Sequence, residues 1–344
     1  MKILYISPSP PPSIPDTDGL VNEIGYLQKR NGGDVLYLSP FRLIPSFTPK
    51  RILSLHNIRK IKNYEKQVDL IHIFFPYFVN FYFFRFLRKP LVYTISSGIV
   101  ENCRNRSFTF SGTIVVSSYY EGTYLRSHGL NDVTVIRPGI DLSRIRVCPD
   151  PEDIKEFVIL AGSSPWTKSQ LQSKGFTLFL EVLAHIPDMK LVCLWRGKLF
   201  EEWQDRIRES GLSDRIETIN ERADISRVLS RCHAAIVLAD SADLVKSYPN
   251  SLMEALAAGK PVLISRVIPM SYYVEENGCG MVVERLTAEE LISAIKEIKN
   301  RYSVFKSAAD HVGRRDFSCD RMVGEYCRLY DGLIKQVDKK SNYI

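Results

Sequence analysis

The stretch KSYPNSLMEALAAGKPVLIS (246–265) sets a Pro-Asn pair before a helix-like run, and a glycine and a short apolar strand after it. An α-helix starts with four unpaired N–H groups and the positive end of its dipole, so its tip is a seat for anions such as phosphate. Pro249-Asn250 fixes where the helix begins, and Ser251, Leu252 and Met253 supply candidate free amides. Glu254 lies one turn inside, and Gly259 is the expected left-handed cap that ends the helix. A carboxylate near a bound phosphate is repelled by it, so Glu254 serves either a different group or no ligand at all. Ser251-Leu-Met-Glu254 also fits the S-x-x-E capping box, a purely structural use.

Outward from this stretch, apolar runs alternate with helix-periodic segments. KILYI (2–6), DVLYL (34–38), DLIHIFF (69–75), LVYTI (91–95), TIVVS (113–117) and VTVI (133–136) form one set. FVILA (157–161), MKLVCLW (189–195), HAAIVLA (233–239), PVLI (261–264) and GMVV (280–283) form another. Continuously apolar strands between helices imply buried parallel sheets. Two such sets in 344 residues imply an α/β protein of two doubly wound domains. The expected boundaries are 1–150, 151–316 and a closing helix and tail over 317–344, with CPDPED (148–153) as the linker. The closing helix carries apolar residues at 322, 323, 326, 329, 330 and 333, a face that must pack outside the second set of strands.

Composition narrows the function classes. The first strand leads into SPSPPPSIPDTDG (7–19), whose five prolines exclude the glycine-rich turn of a dinucleotide-binding oxidoreductase. Asp18 and Gly19 remain as an N-cap and a small residue at the next helix start; Gly19 serves either close ligand approach or only the turn. Seven dispersed cysteines without a CxxC, and no leader-like opening, predict reduced thiols, a cytoplasmic setting and no zinc site. The six histidines show no ligand spacing, and His72 and His233 read as core residues. Residues 1–150 carry 19 Lys+Arg against 11 Asp+Glu, so all of the +7 net charge resides there. The segment 51–67 reads as a basic interfacial helix with Ile52, Leu55, Ile58 and Ile61 on one face, and 74–89 holds nine aromatics that suit either a core helix packed on the sheet or the headgroup region. Residues 51–89 therefore suggest an anionic membrane surface as partner; no nucleic-acid motif is present.

PNSLMEALAAGKPVLIS resembles the signature of family 4 glycosyltransferases, retaining enzymes of the GT-B fold. IVVSSYYEGTYLRSHGLNDVTVIRPGIDLSRI (114–145), Lys174-Gly175 and FSCDRMVGEYCRLYDGLI (317–334) are similar to further family segments. The resemblance implies two Rossmann-like domains facing across a cleft, with a C-terminal helix crossing back to the first. It implies sugar transfer from a nucleotide-diphosphate sugar to a carbohydrate or lipid-linked hydroxyl, with retention, no metal and no cofactor beyond that co-substrate. By the same resemblance Glu254 holds the donor ribose, the amides of Asn250, Ser251 and Leu252 face the diphosphate, Lys174 neutralises it, and Gly19 admits the donor. Three positions depart from the pattern. Lys246 stands where the signature's first glutamate is usual. Ser163 replaces an arginine, with Lys168 as candidate substitute, and Ser96 or Ser97 replaces a histidine. The departures imply either an unusual donor, with Lys246 meeting an acidic group, or a degenerate member that binds without transfer.

Overall fold

The computed structural model describes residues 1–8, 10, 19–39, 57–79, 81–97, 110–147, 156–195 and 198–341. Of the expectations above, 148–153, Asp18 and the 51–56 part of the basic segment lie outside them. The chain forms two compact units, Met1–Gly139 with Cys319–Ile344, and Ile140–Ser318.

The first unit holds β1 (Ile3–Ser7), α1 (Gly19–Asn31), β2 (Asp34–Tyr37), α2 (Ile58–Glu65), β3 (Leu70–Phe75), β4 (Leu91–Ile95), β5 (Thr113–Val116), α3 (Tyr119–Ser127) and β6 (Val133–Val135). Its sheet is parallel, in the order β2-β1-β3-β4-β5-β6. The second unit holds β7 (Phe157–Ala161), α4 (Lys168–Ser173), α5 (Phe176–His185), β8 (Met189–Leu194), α6 (Phe200–Glu209), β9 (Ile216–Ile219), α7 (Ile225–Leu229) and β10 (Ala234–Val237). It continues with α8 (Asn250–Ala257), β11 (Val262–Ser265), α9 (Met270–Asn277), β12 (Gly280–Val283), α10 (Ala288–Asn300) and α11 (Tyr302–Asp316). Its parallel order, β12-β11-β10-β7-β8-β9, reverses between β7 and β10. Strands β1, β3, β4, β5 and β10 are buried at every residue, which is why their sequences read as unbroken apolar runs.

The unit boundaries fall at 139/140 and 318/319, earlier and later than the sequence suggests. The reason is that the segment after Gly139 is already fastened to the second unit. Ile140 N–H donates to Phe317 C=O at 2.8 Å, Ser226 Oγ donates to Arg144 C=O at 2.7 Å, and Arg314 reaches Ile145 C=O at 2.9 Å. Strand β9 escaped the sequence reading because it is an edge strand whose glutamate and threonine break the apolar run. Helix α11 escaped it too.

The closing helix α12 (Cys319–Ser341) packs on the first unit. Met322, Val323, Tyr326 and Tyr330 join the core formed by β1, β3 and α1, as the apolar spacing predicts. A polar chain runs through that core. His72 Nδ1 meets Tyr330 OH at 2.6 Å, His72 Nε2 meets Thr94 Oγ1 at 2.8 Å, and Thr94 Oγ1 meets Tyr326 OH at 2.9 Å. Both imidazole nitrogens are thus occupied by hydroxyls in the neutral form, and burial holds His72 well below its usual pKa.

The aromatic segment 74–89 is largely core rather than lipid-facing. Phe74, Phe75, Phe81 and Phe83 are buried, Tyr77, Phe78 and Phe84 pack on the core, and the local helical element is a 3₁₀ turn at Tyr82–Phe86. Ile61 is fully buried and Ile58 packs on the same core, so the apolar face of α2 is spent on the fold while Arg59 and Lys60 stay exposed. No helix among the described residues is long and apolar enough to cross a membrane.

The network around His72 gives a pH dependence. The unfolded imidazole takes a proton near its ordinary pKa of about 6.5, whereas the folded one resists it. This contribution to stability is full above pH ~6.5 and is lost as pH falls below that value. Thermal unfolding between pH 7.5 and 5 is expected to show a steeper acid loss for the native chain than for His72→Gln. The difference approaches about 1.4 kcal/mol per pH unit, one proton's worth.

Candidate functional site

The second unit's site is built where its strand order reverses. In an open α/β sheet, the strands β7 and β10 send their following helices to opposite faces there, and a crevice opens at their carboxyl ends. The chain that leaves β7 and the helix that follows β10 meet at that crevice. Gly162 N–H donates to Ile236 C=O at 3.1 Å. A Cβ on Gly162 would lie 2.2 Å from Ser251 Oγ and 2.7 Å from Ser251 Cβ. Only glycine lets the end of β7 approach the first turn of α8 so closely.

Helix α8 begins as the sequence suggests, with one correction. Pro249, in extended conformation, is the N-cap, and no side chain caps the helix. Ser251 is therefore the second helical residue, and Ser251–Glu254 is not a capping box. The real box in this chain is Ser118–Glu121 at the start of α3. The amides also shift by one residue. Leu252 and Met253 N–H both bond to Pro249 C=O, at 3.1 and 3.2 Å, so they are not free. Among the described residues, the amides of Asn250 and Ser251 have no backbone acceptor, which makes these two the candidate anion seat.

The rest of α8 is fixed by burial. Leu252, Met253, Ala255, Leu256 and Ala257 are buried, which leaves Asn250, Ser251 and Glu254 on the half-open face, one turn apart. The helix ends in a Schellman motif: Gly259 N–H bonds to Leu256 C=O and Lys260 N–H to Ala255 C=O. Gly259 has φ +76°, and a Cβ there would lie 1.9 Å from Asp310 Oδ1. Asp310 belongs to α11, and the same helix presses along α8, where a Cβ on Gly313 would lie 2.0 Å from Leu256 C=O.

Lys174 is brought to the same place by a second pair of constraints. Gly175 has φ +71° and packs its missing Cβ 2.7 Å from Leu238 Cδ1, just past β10, while Asp240 N–H bonds to Ser173 C=O at 2.9 Å. Lys174 is only 5% exposed. Its ammonium donates to Ser163 C=O at 3.3 Å, to Ser163 Oγ at 3.2 Å and to Ser164 C=O at 3.5 Å. Ser163 itself adopts φ +63°, a strained value for a side chain bearing Cβ. That conformation turns the peptide after Gly162 so that both its carbonyl and hydroxyl face the lysine.

Lys246 completes the cluster. Its Nζ lies 3.4 Å from Asn250 Oδ1, at the tip of α8. Lys168 stands apart from these contacts: exposed, it forms an ion pair with Glu202 at 3.0 Å. Gly19, Ser96 and Ser97 belong to the first unit. Gly19 opens α1, and the amides of Ser96 and Ser97 extend β4 by bonding Phe75 and Pro76 C=O. A separate cavity of about 410 Å³ at the head of α7, with Arg144, Arg146 and Arg222 in its wall, shares no residue with this cluster. Sequence reasoning missed Gly162 and Ser164, whose only signal was their place directly after an apolar strand.

Lys174, Lys246 and the first turn of α8 lie in a segment with known relatives. Residues 168–310 match the family model of glycosyl transferases, group 1. No curated protein sequence matches the chain. The fold is that of GT-B glycosyltransferases. Anabaena HepE, solved in complex with UDP and glucose, is 18% identical, with 96% of this chain and 100% of that chain covered and a TM-score of 0.69. Sucrose-phosphate synthase of Thermosynechococcus elongatus is 16% identical, with 97% and 99% covered and a TM-score of 0.74. WaaG, a glycosyltransferase involved in lipopolysaccharide biosynthesis, is 14% identical, with 91% and 95% covered and a TM-score of 0.64.

The close approach at Gly162 sets the test of this geometry. Gly162→Ala is expected to lower the melting temperature by several degrees, because the Cβ of Ser251 cannot rotate away. Ser251→Gly should recover part of that loss in the double variant. Ser163→Gly relieves the strained φ and is expected to raise stability by about 1 kcal/mol, read by denaturant unfolding.

Proposed function

We propose that the protein is a retaining glycosyltransferase that takes a sugar from a nucleoside-diphosphate sugar and passes it to a hydroxyl acceptor. The observation that carries this reading is the α8 tip: the amides of Asn250 and Ser251 have no backbone acceptor among the described residues, and Ser251 packs on Gly162, next to the Ser163 that the buried ammonium of Lys174 contacts. The family match over 168–310 spans the α8 tip and Lys174. Structural neighbours solved with UDP or UDP-glucose support the donor class.

In this reading the diphosphate sits on the Asn250 and Ser251 amides at the positive end of the α8 dipole. As the glycosidic bond breaks, negative charge grows on the leaving phosphate, and Lys174 stabilises it. The contacts from Lys174 to Ser163 and Ser164 are long, 3.2–3.5 Å, so an anion displaces them at little cost. Glu254, one turn along the half-open face, accepts hydrogen bonds from the ribose hydroxyls. An oxygen of the departing phosphate takes the acceptor proton, so attack and departure share one face and configuration is retained. The reaction needs neither a protein nucleophile nor a metal.

We further propose a carbohydrate or lipid-linked acceptor, met on the cytoplasmic face of an anionic membrane. Its support is the positive first unit, with Arg59 and Lys60 exposed on α2 and Phe86 53% exposed beside Arg85, Arg88 and Lys89. Since the apolar face of α2 is buried, the attraction is chiefly electrostatic. The departures at Lys246, Ser163 and Ser96 or Ser97 favour one competing reading, a member that binds a nucleotide, glycan or protein partner without transfer.

Kinetics separates the two. A nucleoside diphosphate is expected to raise the melting temperature, and a screen of nucleotide sugars to reveal turnover. Lys174→Ala should then lower kcat by about a hundredfold, as loss of one transition-state donor does elsewhere, whereas Glu254→Ala should act mainly on donor KM. Binding without turnover of any donor selects the non-catalytic reading; absence of both removes the donor site. Flotation with anionic vesicles, abolished by salt, checks the membrane reading.

A further inference from the structure

We propose that the buried carboxylate of Glu65 is the positioning residue of the face that meets an anionic bilayer; the proposal rests on the membrane reading above. Glu65 is 5% exposed at the end of α2, and its carboxylate reaches across to the chain after the Tyr82–Phe86 turn. It accepts from the Lys89 amide at 3.1 Å, from the Arg88 amide and from the Lys62 ammonium. Lys62 also donates to Phe86 C=O at 2.7 Å, so two side chains of one helical turn hold residues 86–89 in place. Burial raises the Glu65 carboxyl, but the Arg88 amide, Lys62 and the Lys89 amide together bring it below its usual range, and it stays ionised.

This clamp sets the charge of the surface above it. Arg59, Lys62 and Lys66 follow one stripe of the helix at i, i+3 and i+7. Because Lys62 and Glu65 hold residues 86–89, the backbone bearing Arg88 and Lys89 runs beside that stripe. Arg59, Lys60, Lys66, Arg88 and Lys89 are exposed. Glu65 is the one acid in 57–68 and 81–90, and its charge is turned inward onto Lys62 and two amides. The face therefore has a single sign and spreads over two chain segments, a match for a surface of many anionic headgroups rather than for one small ligand. Phe86, 53% exposed in the clamped run, adds an aromatic ring beside the cations, which suits the headgroup region better than a soluble polyanion.

Vesicle flotation of the full chain over a salt series tests this, with phosphatidylcholine alone and mixed with phosphatidylglycerol. The native chain is expected to float only with the mixed vesicles. Lys66→Gln and Lys89→Gln should each weaken that binding about fivefold, the worth of one cation near an anionic surface. Glu65→Gln adds one net positive charge, so attraction by net charge alone would strengthen binding. A positioning role reverses the sign: Glu65→Gln is expected to bind at least about fivefold more weakly, with a shallower dependence on salt. Glu65→Asp, at unchanged charge, should weaken binding too, and carries the test where the glutamine variant does not fold. If a folded Glu65 variant binds as tightly as the native chain, or if the two lysine variants change nothing, the assignment of Glu65 is overturned while the membrane reading stands. If the native chain ignores phosphatidylglycerol, or prefers soluble heparin to it, both fall together.

Discussion

The missing side chain of Gly162 is the constraint on which the second unit's site depends. It lets the end of β7 lie against Ser251, so two segments from opposite sides of the sheet reversal form one surface. The consequences run in both directions from that contact. On one side the strained Ser163 turns toward Lys174; on the other the first turn of α8 presents two unpaired amides. A larger residue at 162 would push the end of β7 away from the first turn of α8.

Rigidity is concentrated behind this surface. Helix α8 is held at its far end by the Schellman motif at Gly259 and Lys260 and from behind by α11, each through a close approach that only a glycine allows. The Tyr248, Tyr273 and Phe317 rings anchor the segment before it, and Tyr273 OH donates to Asp316 at 2.7 Å. Preorganised donors of this kind stabilise developing charge without reorganising as the reaction proceeds. The first unit shows the opposite arrangement, in which polar groups are used internally. His72, Thr94, Tyr326 and Tyr330 satisfy one another and fasten α12 to the sheet.

Most described apolar residues of the basic and aromatic segments serve the first unit's own core. The amphipathic pattern of 58–65 is real, but its apolar side faces the unit's own core. The same holds for most of the phenylalanines between 74 and 89. Exposed among the described residues of these segments are Arg59, Lys60, Arg85, Phe86, Arg88 and Lys89, so any attraction to an anionic surface would depend on ionic strength rather than on insertion.

The sequence by itself determined the two parallel sheets, most strands and helices, and the helix after Pro-Asn. Period and burial are local properties of a run of residues, and Pro and Gly mark its ends. It also carried Lys174 and Glu254 as candidates through motif resemblance. It left Ser251–Glu254 ambiguous, because the same four-residue pattern caps α3 at Ser118 and not α8, where Pro249 takes the capping position. Tertiary structure alone decided which amides are unpaired, that Lys168 is tied to Glu202, and that Gly162 rather than a charged residue shapes the site. The Gly162 and Lys168 contacts join segments distant in the chain, and the amide pairing turns on which residue takes the cap, so no local pattern encodes them.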